Sequence, residues 1–309
     1  MKTLVVCRAT PVGRVGNPRP IGNRPVQVRR QPAHTCHYFR RSTLAAAFLL
    51  GALALATETT ADKAEQVDEA FRLAGVRPLL EALPARTGEM TGAVLAAFPP
   101  DKRKQLEPAA RDIARRMLEP SLCYPLVRRY FLQHFDAAQM RSFVALEKTP
   151  TYRTMHRQEE QAGLPALQSS RRNFLRNLPN DPPPPARRRL LEQLDEINGY
   201  TVLHQGLVMA TINSSLAGLT MTLPEEFESV KTSVSARANP IVQDQTVALL
   251  LFTFRNAEEV DIQDYLEASQ QPAVIWFNRT LNAAILAAVG ERGPISSDYI
   301  RAHPPRPFN

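Results

Sequence analysis

The sequence has little of what tight turns and cysteine chemistry require. Of its 309 residues only 13 are glycine and three are cysteine, and aromatic residues make up 7%. So few glycines and aromatics argue against a β-sandwich or barrel with many turns. The chain has no CxxC pair, HExxH helix, GxSxG elbow or glycine-rich phosphate loop. The common signatures of redox, metalloprotease, hydrolase and nucleotide-binding sites are therefore absent.

Acidic residues are missing from the start of the chain. Residues 1–56 contain nine lysines and arginines and no Asp or Glu, whereas the rest has 29 basic and 30 acidic residues. The formal charge of +8 and the pI near 9.7 thus come from this first segment. A basic chain suggests an anionic partner, but a chain without its first 56 residues is nearly neutral. We therefore expect no nucleic-acid partner.

Residues 39–56 have the pattern of a signal peptide. Two arginines precede an uncharged apolar run of 13 residues, 44–56, which ends in an A-x-A cleavage pattern. A helix of that length spans about 20 Å, too short for a hydrocarbon core of about 30 Å. We predict cleavage near Ala56 and a periplasmic or secreted protein with no stable membrane span after cleavage. An uncleaved anchor or a buried helix is the alternative.

The segment before the predicted signal peptide, 1–38, is basic and contains five prolines without apolar periodicity. It is either a disordered leader or the product of a wrongly assigned start codon, and we favour the second. Of the cysteines, only Cys123 follows the predicted cleavage site. We expect it to be a buried small residue on a helix, with pairing between chains as the alternative.

Most of the remaining chain has apolar residues at helical spacing, which predicts an all-α fold. The segment PNDPPPPARRR, 179–189, contains four successive prolines that cannot propagate a helix. We predict a bundle of two helical halves, 57–178 and 190–291, joined by this proline-rich spacer. We expect Pro84 to interrupt a helix, Gly290 to end the last one, and 292–309 to form a disordered tail.

Each half contains a helix–(Ser/Thr/Gln)-Pro–helix hairpin. The first covers 136–155 and the second 256–277, with Asp136 and Asn256 as predicted helix caps. When the two prolines are aligned, the apolar stripes coincide, which suggests a hairpin used twice. The matching pairs are Met140 with Ile262, Phe143 with Tyr265, Val144 with Leu266, and Met155 with Phe277.

The windows QMRSFVALEKTPTYRTM, 139–155, and 253–285 resemble the bacterial family called domain of unknown function 2059. Its signature is an amphipathic helix followed by Ser-Pro-x-Gly at the start of the next helix. The first window has the apolar residues Met140, Phe143, Val144 and Leu146, then Thr149-Pro150, with Tyr152 in place of glycine. The second window has Tyr265, Leu266, Pro272 and Trp276, with Gln271 in place of serine. The resemblance implies an exported, mainly helical protein with no established activity, and it supplies no catalytic residues.

The signature has a physical role that can be read from its residues. Thr149 can cap the second helix, and proline suits the first helical position because no amide donor is needed there. Tyr152 would either block close helix approach or fill the space with a ring. We interpret the motif as architectural. An anion site formed by free helix amides at the hairpin turn is the alternative.

Histidines and arginines are the candidates for chemistry. His156 and Glu159 lie at i, i+3, a spacing that can serve a metal, but no further ligands follow, so we predict a solvated polar face and no metal or cofactor. His134 and His204 are interpreted as satisfied histidines and not as catalytic bases. Solvated helix faces explain the basic groups, and an anionic partner is the alternative. These groups are Arg115-Arg116, Arg128-Arg129, Arg171-Arg172 and the triplet 187–189.

Three hypotheses for function follow. The leading one is an exported noncatalytic protein of the bacterial envelope with a binding or protein-interaction role, its partner an unknown envelope protein or a small ligand. The second is an enzyme with a dispersed polar site between the two halves, which a deep polar cleft containing these histidines and acids would favour. The third is a structural homo-oligomer built through the apolar C-terminal helices.

Overall fold

The chain is helical throughout the part that the computed structural model describes, residues 59–96, 98–220 and 224–302. The predicted all-α fold is confirmed: these residues form twelve α-helices and one short 3₁₀ turn, Pro165–Leu167, and include no strand. The predicted leader, 1–38, and signal peptide, 39–56, lie outside the described residues. The helices are α1 Thr60–Leu73, α2 Val76–Leu95, α3 Pro100–Met117, α4 Pro120–Gln133, α5 Ala137–Glu147, α6 Pro150–Gly163, α7 Gln168–Asn177, α8 Pro185–Asn198, α9 Tyr200–Thr220, α10 Pro224–Thr253, α11 Glu259–Ser269 and α12 Pro272–Ala302.

Proline begins helices in this fold more often than it ends them. Pro150 and Pro272 are the first residues of α6 and α12, as predicted. The spacer is shorter than predicted, because α8 already begins at Pro185; the first helical turn needs no amide donor. The expected break at Pro84 is wrong, since α2 continues through it. Tertiary burial of residues on both sides of Pro84 stabilises the helix despite one lost hydrogen bond.

The predicted helix cap is found at the first hairpin, whereas the cap of the second hairpin differs from the prediction. The Asp136 carboxylate accepts hydrogen bonds from the amides of Ala138 and Gln139 at 2.9 and 3.0 Å, as a capping residue does. The second hairpin helix starts later than predicted, with Glu258 and not Asn256 at its cap position. Thr149 occupies the cap position of α6, but its hydroxyl donates to the Leu146 carbonyl at 2.7 Å and caps no amide.

The two sequence halves share their hydrophobic cores. The main cluster combines Phe71, Val127 and Phe131 from the first half with Leu203 and Phe277 from the second. A smaller cluster likewise joins α2 and α3 to α9 and α10. The proline-rich connection therefore links two parts of one folded unit and does not separate two independent cores. Cys123 is a free, buried cysteine on α4, as expected.

The two hairpins, α5–α6 and α11–α12, pack against each other. The first helix of each contacts the second helix of the other, so α5 lies on α12 and α11 lies on α6. The rings of Phe143 and Phe277 stack at 3.8 Å between centroids with an angle of 8°. Three pairs of matching positions, 122 residues apart in sequence, are buried in the core: Met140 with Ile262, Phe143 with Tyr265, and Met155 with Phe277.

The last helix extends beyond its predicted end. It passes Gly290 and continues to Ala302, so the first part of the predicted disordered tail, 292–309, is helical, and residues after 302 lie outside the described ones. Arg292 explains this extension. Its buried guanidinium donates to the carbonyls of Met117 and Arg116 at 3.0 and 2.7 Å, satisfying the free C-terminal end of α3.

One segment among the described residues, Pro272–Gly293 of α12, is long and apolar enough to cross a membrane, judged by length and composition only. The core helix of a protein that never meets a membrane passes the same test. Several residues of this segment, among them Phe277, Ala284 and Ile285, are buried in the main hydrophobic cluster. Burial within the chain therefore covers part of this apolar segment.

We expect Arg292→Ala to lower the free energy of unfolding by about 1–3 kcal/mol, because two carbonyls at the end of α3 lose charged hydrogen-bond donors. Arg279→Ala, on an exposed position of the same helix, should change it by less than about 0.5 kcal/mol. Urea denaturation of the three proteins measures both. Equal effects of the two substitutions would contradict the role given to Arg292.

Candidate functional site

A cavity of about 130 Å³ lies where the two hairpins meet. The corner between α1 and α2 and parts of α8, α9 and α10 complete its wall. Matching positions of both hairpins line it, but with different chemistry: the first hairpin supplies most of the ionisable groups, and the second supplies mainly amide and apolar side chains. The pairs are Phe143 with Tyr265, Tyr152 with Val274, His156 with Asn278, Glu159 with Leu281, and Glu160 with Asn282.

His156 lies between two carboxylates in this wall. Its Nδ1 is 2.8 Å from Glu147 Oε2, and its Nε2 is 3.8 Å from Glu159 Oε2. Burial by itself disfavours the charged ring, but hydrogen bonding to Glu147 and the charges of Glu159 and Glu147 outweigh it. They raise the pKa of His156 to about 9. The ring is therefore an imidazolium at neutral pH.

The face predicted to be solvated is partly buried: the side chains of His156 and Glu159 are 14% and 29% exposed. The Glu147 side chain is only 1% exposed. Glu147 was missed as a site residue, although its position contained the signal. It continues the apolar stripe Met140, Phe143, Val144 at i+7 from Met140, and a carboxylate on a buried stripe requires a partner.

Glu159 is held by two tyrosines. The hydroxyls of Tyr200 and Tyr265 donate to its Oε1 at 3.0 and 3.5 Å, and the Asn198 amide donates to the Tyr200 hydroxyl at 3.3 Å. Burial raises the pKa of Glu159, and the charge of His156 and the Tyr200 hydrogen bond oppose that rise. The second oxygen, Oε2, is too far from His156 Nε2 for a hydrogen bond. This oxygen can therefore accept a hydrogen bond from a ligand.

Tyr152 fills the position where the resembled family has glycine. Its ring is 1% exposed and packs edge-on against Tyr265 and His156, with centroids 5.1 and 5.5 Å apart. Burial raises the pKa of the hydroxyls of Tyr152 and Tyr265, which therefore stay protonated at neutral pH. The Tyr152 ring thus forms an aromatic part of the cavity wall.

Arg86 is the unpaired cation of the cavity. Its Nε is buried without a hydrogen-bond partner, and among the described residues no carboxylate lies within 4 Å of its guanidinium. Nearby Glu89 is occupied by Gln168, Arg171 and Arg172, which donate at 3.1, 2.9 and 3.4 Å. Burial and the charge of Arg171 lower the pKa of Arg86. Nothing in the sequence pattern distinguished this arginine from the others.

His204 also lines the cavity, but as a neutral ring. The Thr246 hydroxyl donates to the Val242 carbonyl at 2.8 Å, so it accepts from His204 Nδ1 at 3.0 Å. Burial, with a contribution from the charge of Arg86, lowers the pKa of His204 to about 3. His134 does not line the cavity. It is exposed at the end of α4, where it stacks on Tyr130 at 4.0 Å.

The remaining signature residues lie in or against the core around the cavity. Met140, Phe143, Tyr265 and Leu266 are buried, whereas Val144, Leu146 and Trp276 are partly buried against the main cluster. At the cavity mouth, Gly75 has φ of +59°, and a Cβ there would meet Glu160 Oε1 at 2.8 Å. Glycine therefore permits both the sharp α1–α2 corner and the close approach of α6.

Other candidate groups from the sequence find partners within the chain. Arg128 binds Asp68 at 2.7 Å, Arg129 binds Glu291 at 2.6 Å, and Arg115 and Arg116 both bind Asp112. Within the described part of the chain, no group of three or more His, Cys, Asp or Glu side chains could hold a metal ion. Comparisons with protein-family models, curated proteins and solved structures give no match for this chain.

The raised pKa of His156 makes stability depend on pH. The unfolded ring titrates near 6.5 and the folded ring near 9. The stabilisation is therefore complete below pH 6.5 and is lost as the pH rises through 9. We expect His156→Gln to cost up to about 3 kcal/mol at pH 6 and much less at pH 9.5. Urea denaturation at both pH values measures this difference.

The exposed ring of His134 supplies the control. His134→Gln is denatured at the same two pH values, so that a histidine substitution at an exposed position is measured beside His156→Gln. If the cost of His156→Gln is the same at pH 6 and pH 9.5, the imidazolium does not contribute as described.

Proposed function

We propose that the protein is an exported, noncatalytic helical protein of the bacterial envelope that binds a small ligand in the cavity between its two hairpins. One observation carries the binding role. The cavity wall contains Arg86, whose buried Nε has no hydrogen-bond partner, and Glu159, whose Oε2 lies 3.8 Å from His156 Nε2, beyond hydrogen-bond distance. Buried polar atoms are normally satisfied, and a bound molecule would satisfy Arg86 Nε and could also donate to Glu159 Oε2.

The histidines of the cavity argue for binding over catalysis. A general base acts best with a pKa near the working pH. His156 is protonated and ion-paired at neutral pH, and His204 is neutral with its Nδ1 held by Thr246. Neither serine nor cysteine is among the described residues that line the cavity.

An enzyme remains the second candidate, on one specific observation. Glu147, His156 and Glu159 converge in a cavity between elements of both sequence halves, the arrangement that the enzyme hypothesis requires. The imidazolium of His156 could donate a proton to a bound substrate. A homo-oligomer built through α12 has less support, because that helix buries its apolar face within the chain.

Export rests on the signal pattern at 39–56 and on the resemblance of the hairpins to an exported family. Every described helix follows Ala56, so a chain cleaved there keeps all of them. We expect the protein from the envelope fraction of its native host to have an N-terminus near Thr57. Intact mass and N-terminal sequencing measure this. A protein that retains Arg40 in a cytoplasmic fraction would contradict export.

Blocking the cavity should abolish ligand binding. We expect Leu249→Trp, which places a large ring in the cavity wall, to remove binding of small molecules from a metabolite extract of the native host. Val202→Trp adds the same ring at an exposed position outside the cavity, 63% exposed, and should leave binding unchanged. Native mass spectrometry of the full chain detects the bound molecules, and circular dichroism verifies that each variant is folded.

If Leu249→Trp does not fold, Ala74→Phe at the cavity mouth replaces it. The binding role fails if no molecule binds the original protein, or if the blocked variant binds as well as the control. Release of a chemically changed molecule would move the enzyme candidate ahead of the binding protein.

A further inference from the structure

We propose that the ligand is a small zwitterion, an α-amino acid with an aliphatic side chain, whose carboxylate binds Arg86 and whose ammonium group donates to Glu159. This inference rests on the proposed binding function and adds the chemical class of the ligand. It follows from the placement of two opposite charges, the walls between them and the size of the space.

The anionic end of the ligand is specified by Arg86. Its buried Nε has no partner, and the closest acid on its own helix, Glu89, is already bound by three donors. Leaving a buried N–H donor without a partner costs free energy. A guanidinium also presents parallel N–H groups that match a carboxylate in a bidentate arrangement. A carboxylate is therefore the group that this end of the cavity lacks.

The cationic end of the ligand is specified by Glu159. The hydroxyls of Tyr200 and Tyr265 donate to its Oε1, and its Oε2 is 3.8 Å from His156 Nε2, too far for a hydrogen bond. The imidazolium of His156 is already paired with Glu147. Glu159 Oε2 therefore keeps acceptor capacity, and an ammonium group fits it better than a second carboxylate, which the charge of Glu159 would repel.

The gap between the two charges suits an α-amino acid. Arg86 lies over α6, because a Cβ on Gly163 would come within 3.2 Å of its terminal nitrogen. Glu159 is four residues earlier on the same helix, a rise of about 6 Å. Arg86 and Glu159 are farther apart than the 4 Å of an ion pair, yet each influences the other electrostatically. A molecule with adjacent carboxylate and ammonium groups bridges such a gap.

The rest of the wall specifies the side chain. Leu203, Leu249, Leu250 and Leu281 line the cavity and give it an aliphatic surface. Its volume of about 130 Å³ is close to the cavity of roughly 150 Å³ that holds one benzene molecule in another protein. A space of that size accommodates an amino acid such as valine or leucine.

Isothermal titration calorimetry of the full chain at pH 7 tests the proposal with three probes. L-Leucine carries both charges, isopentylamine lacks the carboxylate, and 4-methylpentanoate lacks the ammonium group. We expect leucine to bind at least about tenfold more tightly than isopentylamine or 4-methylpentanoate. Each charged contact should lower the dissociation constant by a factor of at least about ten. Equal affinities for the three probes would overturn the proposal.

Two substitutions test which residue contacts the carboxylate of the ligand and which contacts its ammonium group. Arg86→Gln should weaken leucine at least about tenfold and leave isopentylamine unchanged. Glu159→Gln should weaken leucine similarly and leave 4-methylpentanoate unchanged. The exposed residues Arg153 and Glu267, which do not line the cavity, provide matched controls, since Arg153→Gln and Glu267→Gln should bind leucine as the original protein does. If Arg86→Gln retains the original affinity for leucine, the assignment is wrong.

Stability separates a binding role of Arg86 from a structural one. Because the unliganded protein holds this cation without a partner, Arg86→Gln should leave its melting temperature unchanged or raise it. A lower melting temperature would indicate a structural role and count against the proposal. If Leu249→Trp blocks a molecule from the metabolite extract but no amino acid binds, the binding function stands and this inference fails. If the extract yields no ligand, both fail.

Discussion

The contact between the two hairpins is the constraint on which the rest of the structure depends. Each hairpin exposes one apolar stripe, and neither stripe can be buried within its own pair of helices. Crossing the hairpins buries both, and the stacked rings of Phe143 and Phe277 mark the centre of the contact. Phe277 also contacts Phe71 edge-on and Phe131 at a tilted angle, so α1 and α4 pack against the same part of the core.

The cavity is a consequence of this crossing and of unequal side chains at matching positions. In the first hairpin, positions 147, 156 and 159 carry ionisable groups, and in the second the corresponding positions carry serine, asparagine and leucine. A dry contact would require complementary shapes at every pair. Here the two hairpins differ in charge and side-chain size at these positions, and the cavity between them is lined by polar as well as apolar side chains. Tyr200 from α9 enters this space and orients Glu159.

Electrostatics in the cavity follow from burial combined with a specific partner. His156 and His204 are both enclosed, but their pKa values shift in opposite directions, to about 9 and about 3. His156 has a carboxylate at 2.8 Å, whereas His204 has a threonine hydroxyl and the charge of Arg86 nearby. Desolvation acts alike on both rings, and the partner decides which form survives. His156 is therefore a charged group of the cavity wall at neutral pH, and His204 is an uncharged one.

Local sequence patterns were enough to predict the helical class, the two hairpins whose second helix begins at proline, the Asp136 cap and the apolar stripes. The buried stripe residues are Met140, Phe143, Tyr265 and Leu266. The predicted features are local properties, because periodicity, capping and the missing amide of proline act within one or two turns of helix. Errors arose where distant contacts override local preference. Packing carries α2 through Pro84, and the bonds of Arg292 to α3 continue the last helix beyond Gly290.

The set of side chains that line the cavity depends on the tertiary structure. Glu147 and His156 lie on successive helices, Tyr200 and Arg86 come from distant parts of the chain, and no spacing in the sequence relates them. Whether Arg86 has a partner depends on which donors occupy Glu89, and those come from residues about 80 positions away. Helical periodicity fixes which face of a helix is buried, but the choice of the helix that covers it depends on packing of the whole chain. That choice brings these side chains together.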